Sequence, residues 1–70
     1  MSNVRVWLKE RRQKANFTQD EIASLTGISR SYYTHIEQGT KTPSVPVAKK
    51  LADALSFKWV LFFEDEIEEP

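Results

Sequence analysis

"TQDEIASLTGISRSYYTHIEQG", Thr18 to Gly39, is the stretch that decides the fold. Two short helical patterns meet at Gly27 within it. Thr18-Gln19-Asp20-Glu21 matches a capping box, in which the threonine hydroxyl serves an orphan backbone N–H and Glu21 reaches back. Phe17 and Ile22 stand where a hydrophobic staple would close that start, and Ile22, Ala23 and Leu25 supply a buried stripe. Gly27 stops the helix, because a left-handed turn sets no Cβ clash against glycine. Ile28 plugs the turn into the core, and Ser29 caps a further helix from Arg30 to about Gln38, buried through Tyr33 and Ile36. Gly39 ends it.

Helix, tight glycine turn and helix is the geometry that lays a second helix in the DNA major groove while the first crosses the backbone. The groove admits a helix and displays a readable donor and acceptor code. The outer face of the second helix fits such a role. It offers Arg30, Ser31, Tyr32, Thr34 and His35, hydrogen-bonding side chains of graded reach, none of them acidic. These are the candidate base contacts, with Arg30 suited to a guanine edge and His35 able to donate to guanine or thymine. Thr18, Gln19, Ser29, Thr40 and Lys41 flank that helix and are the candidate phosphate contacts.

Outward from this stretch, the segment from Val4 to Lys14 or Ala15 reads as a first helix, with Val4 and Leu8 on helical spacing and Ser2 or Asn3 as its cap. Asn16 can take the left-handed conformation that ends it. Thr40 to Ser44 is a loop, and Ser44 caps a fourth helix that tolerates Pro46 in its first turn. Val47, Ala48, Leu51, Ala52 and Leu55 form its inner face. Phe57 to Phe63 suits a strand by composition, but a lone strand has no partner in a helical chain, so a short fifth helix is expected. Trp59 and Phe62 would then close the core. Val60, Leu61 and Phe63 cannot all be buried in so small a domain. They make an apolar patch that reads as a homodimer interface, a monomer with an untidy end being the alternative.

The whole chain bounds these readings. Seventy residues make a single domain, read as residues 1–63 followed by an acidic tail at 64–70. The net charge is zero, yet its distribution is uneven. Residues 1–63 carry ten basic and five acidic groups, and the tail carries the other five acids. A basic body suits a polyanion, although a solvated surface with a solubilising tail explains the same charge. No cysteine is present and histidine occurs once, so neither a disulfide nor a metal site is expected, and no cofactor. The N-terminus lacks a secretory pattern and no run is long enough to span a membrane, which points to a cytoplasmic protein. Asp20 with Glu21, or the tail acids, are carboxylates without a pocket or partner base, so an enzyme is not expected.

Thr18-Gln19-Asp20-Glu21-Ile22-Ala23, Gly27-Ile28-Ser29-Arg30-Ser31, Ile36-Glu37-Gln38-Gly39 and Pro43-Ser44 resemble the Cro/CI-type (XRE) family of bacterial and phage helix-turn-helix regulators. The resemblance runs from about Leu8 to Phe63, and Leu51-Ala52, Ala54 and Leu55 continue it. It implies a compact, five-helix, all-α, lambda-repressor-like domain. It implies that Gln19, Arg30, Ser31 and His35 stand where the family contacts DNA, and that Arg12 and Glu37 form a buried ion pair. Asn16 and Ser56 depart from the pattern by replacing glycines, and Tyr33 by replacing a smaller aliphatic. A transcriptional regulator, most simply a repressor that binds a palindromic operator in double-stranded DNA as a dimer, is the function implied. A protein-interaction adaptor or antitoxin-like subunit on the same fold is the alternative.

Overall fold

Capping residues and left-handed stops divide the chain into five helices in the computed structural model, which describes residues 4–64. They are α1 (Val6–Lys14), α2 (Gln19–Thr26), α3 (Arg30–Gln38), α4 (Val45–Leu55) and α5 (Leu61–Glu64), and no strand occurs among the described residues. Of the tail read at 64–70, Glu64 is the last residue of α5, and residues 65–70, like the proposed caps Ser2 and Asn3, lie outside the described residues.

Each central helix starts on a hydroxyl. The Thr18 hydroxyl accepts from the Glu21 N–H at 3.1 Å, and the Thr18 N–H donates to Glu21 Oε1 at 2.8 Å, so both halves of the capping box are made. Ser29 Oγ accepts from the Tyr32 N–H at 3.0 Å, and Ser44 Oγ from the Val47 N–H at 3.4 Å. Four left-handed residues end the first four helices: Asn16 at φ +66°, Gly27 at +75°, Gly39 at +82° and Ser56 at +62°. At Gly27 a Cβ would meet nothing within 4 Å. Its requirement for glycine is therefore torsional and not spatial.

Helix α2 packs against both α3 and α4, and α1 packs against α3. Leu8, Ile22, Tyr33, Ile36, Ala48, Leu51 and Phe62 are fully excluded from solvent at the centre. Each large apolar side chain so buried contributes about 1.5–3 kcal/mol relative to exposure. Trp7, Phe57 and Phe62 stack over one end as an aromatic trio with centroids 5.2–5.4 Å apart.

Four details differ from the sequence reading. Leu25 is not part of the buried stripe but 61% exposed, and Thr26 takes the inner position instead. Its hydroxyl bonds back to the Ile22 carbonyl at 2.8 Å, which lets a polar side chain lie inside. Val4 is half exposed and lies before α1, which starts at Val6 with Arg5 as its boundary residue. The inner face of this segment is Arg5, Leu8 and Arg12, at i, i+3 and i+7. Finally, α5 starts at Leu61 and not Phe57; residues 57–60 form a turn that lets Phe57 and Phe62 both reach Trp7 and each other.

Candidate nucleic-acid interface

The two middle helices hold their relative position through one buried carboxylate. Glu37, on the inner side of α3, is 5% exposed. Its Oε2 accepts from Arg12 Nε at 2.7 Å and from the Tyr33 hydroxyl at 2.6 Å. Its Oε1 accepts from Gln19 Nε2 at 3.0 Å. Burial pushes the Glu37 carboxyl upward, but the hydrogen bonds from Arg12, Tyr33 and Gln19 outweigh it and hold the group below its ordinary range. The bond to Glu37 raises Arg12 against the opposing effect of burial. Burial first, and then the neighbouring carboxylate, push the Tyr33 phenol far upward. Arg12 also donates to the Phe17 carbonyl at 2.8 Å, tying the α1–α2 connection into the same centre.

Around this centre the outer side chains of α3 are arranged in pairs. The Thr34 hydroxyl donates to Gln19 Oε1 at 3.0 Å, so Gln19 is bonded at both ends of its amide. His35 Nδ1 lies 2.9 Å from the Thr40 hydroxyl, within the turn that follows Gly39. Arg30 stands at the first turn with its Nε 3.7 Å from Asp20 Oδ1 on α2, both side chains mostly in solvent. An exposed pair of that kind contributes roughly 0–1 kcal/mol and yields readily to a better anion. Ser31 is exposed beside it, and Tyr32 is half-buried, its ring packed on the edge of the core.

Of the candidate phosphate residues, Thr18 and Ser29 spend their hydroxyl oxygens as helix caps. Thr40 and Lys41 are exposed beyond the C-terminus of α3. The structure thus brings Gln19, Thr34, His35 and Thr40 close to α3 and to one another in pairs. Val60, Leu61 and Phe63 lie apart from them, at the α4–α5 end. Val60 is 42% exposed there, Leu61 and Phe63 are half-buried, and Phe63 stacks edge-on against Trp59 at 6.0 Å.

Arg5 was not among the candidates, yet it holds the far end of α3. Its Nη1 donates to the Ile36 carbonyl at 2.6 Å and to the Lys41 carbonyl at 3.1 Å, and its own N–H donates to the Glu37 carbonyl at 2.8 Å. The guanidinium lies 5.6 Å from the centroid of the Phe62 ring. A cation at this position favours the negative end of the helix and satisfies its terminal carbonyl groups. The spacing Arg5, Leu8, Arg12 is the sequence signal that marks it as inward-facing.

No helix among the described residues is long and apolar enough to cross a membrane, and no group of three metal-ligating side chains is found there. A helix-turn-helix family model matches residues 8–61, which span α1 to the start of α5. The HTH-type transcriptional regulator YqaF of Bacillus subtilis (strain 168) is 50% identical over 66 residues, 94% of this chain and 87% of that protein. An HTH-type transcriptional regulator of Archaeoglobus fulgidus is 35% identical over 65 residues, covering 90% of this chain and 92% of its own length. One from Methanothermobacter thermautotrophicus is 31% identical over 65 residues, covering 90% and 94%. With α2, the Gly27 turn and α3 in the order and geometry described, the chain belongs to the Cro/CI-type (XRE) helix-turn-helix family of DNA-binding transcriptional regulators.

Proposed function

We propose that this protein is a sequence-specific repressor that binds an inverted repeat in double-stranded DNA as a homodimer. The observation that carries the reading is the outer face of α3. Arg30, Ser31, Thr34 and His35 present donors and acceptors there, while the one acid on that helix, Glu37, is turned inward and neutralised. A helix so faced suits the major groove, with Tyr32 at its margin and base contacts from Arg30, Ser31, Thr34 and His35. Gln19, Thr40 and Lys41, with the free N–H groups at the start of α2 near Thr18 and the Ser29 turn, supply phosphate contacts that set the register. The protein acts in the cytoplasm, without a cofactor.

Selection of bound duplexes from a random-sequence DNA pool at two salt concentrations tests this reading. The expected product is a short inverted repeat with half-sites about one helical turn, roughly 34–36 Å, apart. Arg30→Ala is expected to relax preference at one base position by about 5- to 150-fold, equivalent to roughly 1–3 kcal/mol, with the fold unchanged. Salt-sensitive binding with no recovered motif would leave phosphate contact alone and reject sequence-specific repression.

The dimer is assigned to the α4–α5 end. Two shallow apolar clefts, of about 340 and 320 Å³, lie on either side of Val60, rimmed by Lys49, Lys58 and Arg11. Val60→Asp is expected to give a folded monomer by sedimentation, with DNA affinity reduced about tenfold or more, since each half-site must then bind alone. A variant that sediments and binds as the parent does would place the interface elsewhere. The same clefts favour the second reading, an adaptor or antitoxin-like subunit. In that case a protein partner would occupy the Val60, Leu61 and Phe63 surface, and binding would not weaken steeply with salt.

A further inference from the structure

A run of three hydrogen bonds leads from the buried ion pair to the groove-facing side of α3, and its direction is forced at every step. Glu37 is bound to Arg12 at 2.7 Å and is ionised, so both of its oxygens only accept. The Gln19 amide can therefore meet Glu37 Oε1 only through its nitrogen, at 3.0 Å. This turns the Gln19 carbonyl oxygen toward Thr34. An amide oxygen only accepts, so the Thr34 hydroxyl must donate its single proton to it, across 3.0 Å. What remains outward on Thr34 is a pair of oxygen lone pairs. A free threonine hydroxyl can rotate to donate or to accept; this one has its proton committed inward.

We infer that Thr34 is a specificity-determining residue that acts only as a hydrogen-bond acceptor, selecting the exocyclic amino group of adenine or cytosine on the strand it faces. The inference rests on the reading of α3 as the groove helix. Thr34 is half-buried, one turn after Arg30 on the same face, with its hydroxyl proton directed to Gln19. In the major groove, adenine N6 and cytosine N4 carry the donors, whereas guanine and thymine offer acceptors. An acceptor-only group thus discriminates between the two orientations of a base pair. Gln19 is the positioning residue: it transmits the polarity of the ion pair to Thr34.

Pool selection with variants reads this directly. The parent is expected to select adenine or cytosine at one half-site position. Thr34→Ser keeps the hydroxyl and is expected to keep that preference. Thr34→Val keeps the shape and methyl group but loses the lone pairs, and the preference is expected to fall by about 5- to 100-fold. Gln19→Met releases the hydroxyl rotor, so guanine and thymine are expected to enter at that position, while the lost phosphate contact weakens all sequences alike. A Thr34→Val motif identical to the parent's, or a Gln19→Met motif as narrow as the parent's, would overturn the inference. Circular dichroism of each variant verifies the fold, and Thr34→Ser with Thr34→Val gives the comparison if Gln19→Met does not fold. Neutron diffraction from the deuterated, DNA-free protein is the independent arm. A deuteron on Thr34 Oγ1 aimed at Gln19 Oε1 is expected, and one aimed outward rejects the proposal whatever DNA is selected. A parent protein that recovers no motif rejects the operator-binding reading by itself, and the deuteron then decides the hydrogen-bond polarity separately.

Discussion

Replacing Arg12 with methionine is expected to lower the stability of this domain by about 3–5 kcal/mol, because it leaves a buried carboxylate without its cation. The loss is large against the total, since a chain of this size is stable by only about 4–10 kcal/mol. Arg12 and Glu37 are 8% and 5% exposed, so water cannot replace the missing partner. Methionine keeps most of the aliphatic stem, so the effect reports chiefly the lost guanidinium with its bonds to Glu37 and the Phe17 carbonyl. The pH dependence makes the assignment specific. In the parent, the Glu37 carboxyl is held below its unfolded value. Its contribution is therefore complete above the unfolded value and is lost as pH falls through the folded one. In Arg12→Met the cation is gone and only the Tyr33 and Gln19 hydrogen bonds oppose burial, so the Glu37 carboxyl is expected to rise above its unfolded value. The variant is then expected to gain stability as pH falls through that raised value, while the Glu37 contribution in the parent holds until the unfolded value and then declines. Thermal unfolding of both proteins from pH 7 down to pH 4 checks this: the gap in Tm is expected to narrow. A gap that widens or stays constant would place the loss in packing.

Phe62→Ala is expected to have an effect of similar size, about 3–5 kcal/mol, through lost burial and the cavity left behind. Phe62 is fully excluded from solvent and makes ring contacts with Trp7 at 5.3 Å and Phe57 at 5.4 Å. It is also the buried residue of α5, a helix of four residues that has no other anchor of that kind. A single turn of helix is not stable by itself, so α5 is expected to detach when its anchor is removed. Two readouts separate this from a uniform loss of stability. Tryptophan fluorescence should shift to the red, because Trp7 loses its covering ring. Hydrogen exchange should rise first in residues 61–64, while the amides of α2 and α3 stay protected until global unfolding. Phe62→Leu restores most of the volume and is expected to recover more than half of the stability.

The central third of the chain was legible because its signals are local. A hydroxyl at the cap and a glycine at the stop specify α2 and α3, with an acid three residues after the cap in α2, almost without tertiary context. Asn16 and Ser56 adopt the positive φ that their places require although neither is glycine. The errors fall where tertiary contacts decide. Leu25 has the right residue type for a core but the wrong angular position, and Thr26 replaces it by bonding its own helix. Arg5 stands between Val4 and Val6, and its i, i+3, i+7 relation to Leu8 and Arg12 assigns its face but not what it bonds. Its partners lie 31 and 36 residues away, a distance that periodicity does not register. The start of α5 moved to Leu61 because a turn at 57–60 brings Phe57 onto Trp7, and that aromatic contact has no sequence spacing of its own. The candidate site was legible by residue type and face. Its internal pairing was not, since Gln19 meets Glu37 and Thr34 only across two helices.

The pairing along α3 also makes its two ends thermodynamically unlike. Ordering a free, rotamer-rich side chain on association costs about 0.5–1.5 kcal/mol. Thr34 and His35, held by Gln19 and Thr40, have already lost that freedom on folding. Arg30, with its side chain 63% in solvent and only a loose contact to Asp20, has not. On the proposed reading of α3 as the groove helix, a duplex would dock a rigid C-terminal half and have to immobilise the N-terminal half. On that reading the entropic cost of recognition would fall mainly on the first turn, and contacts at the last turn would carry little of it.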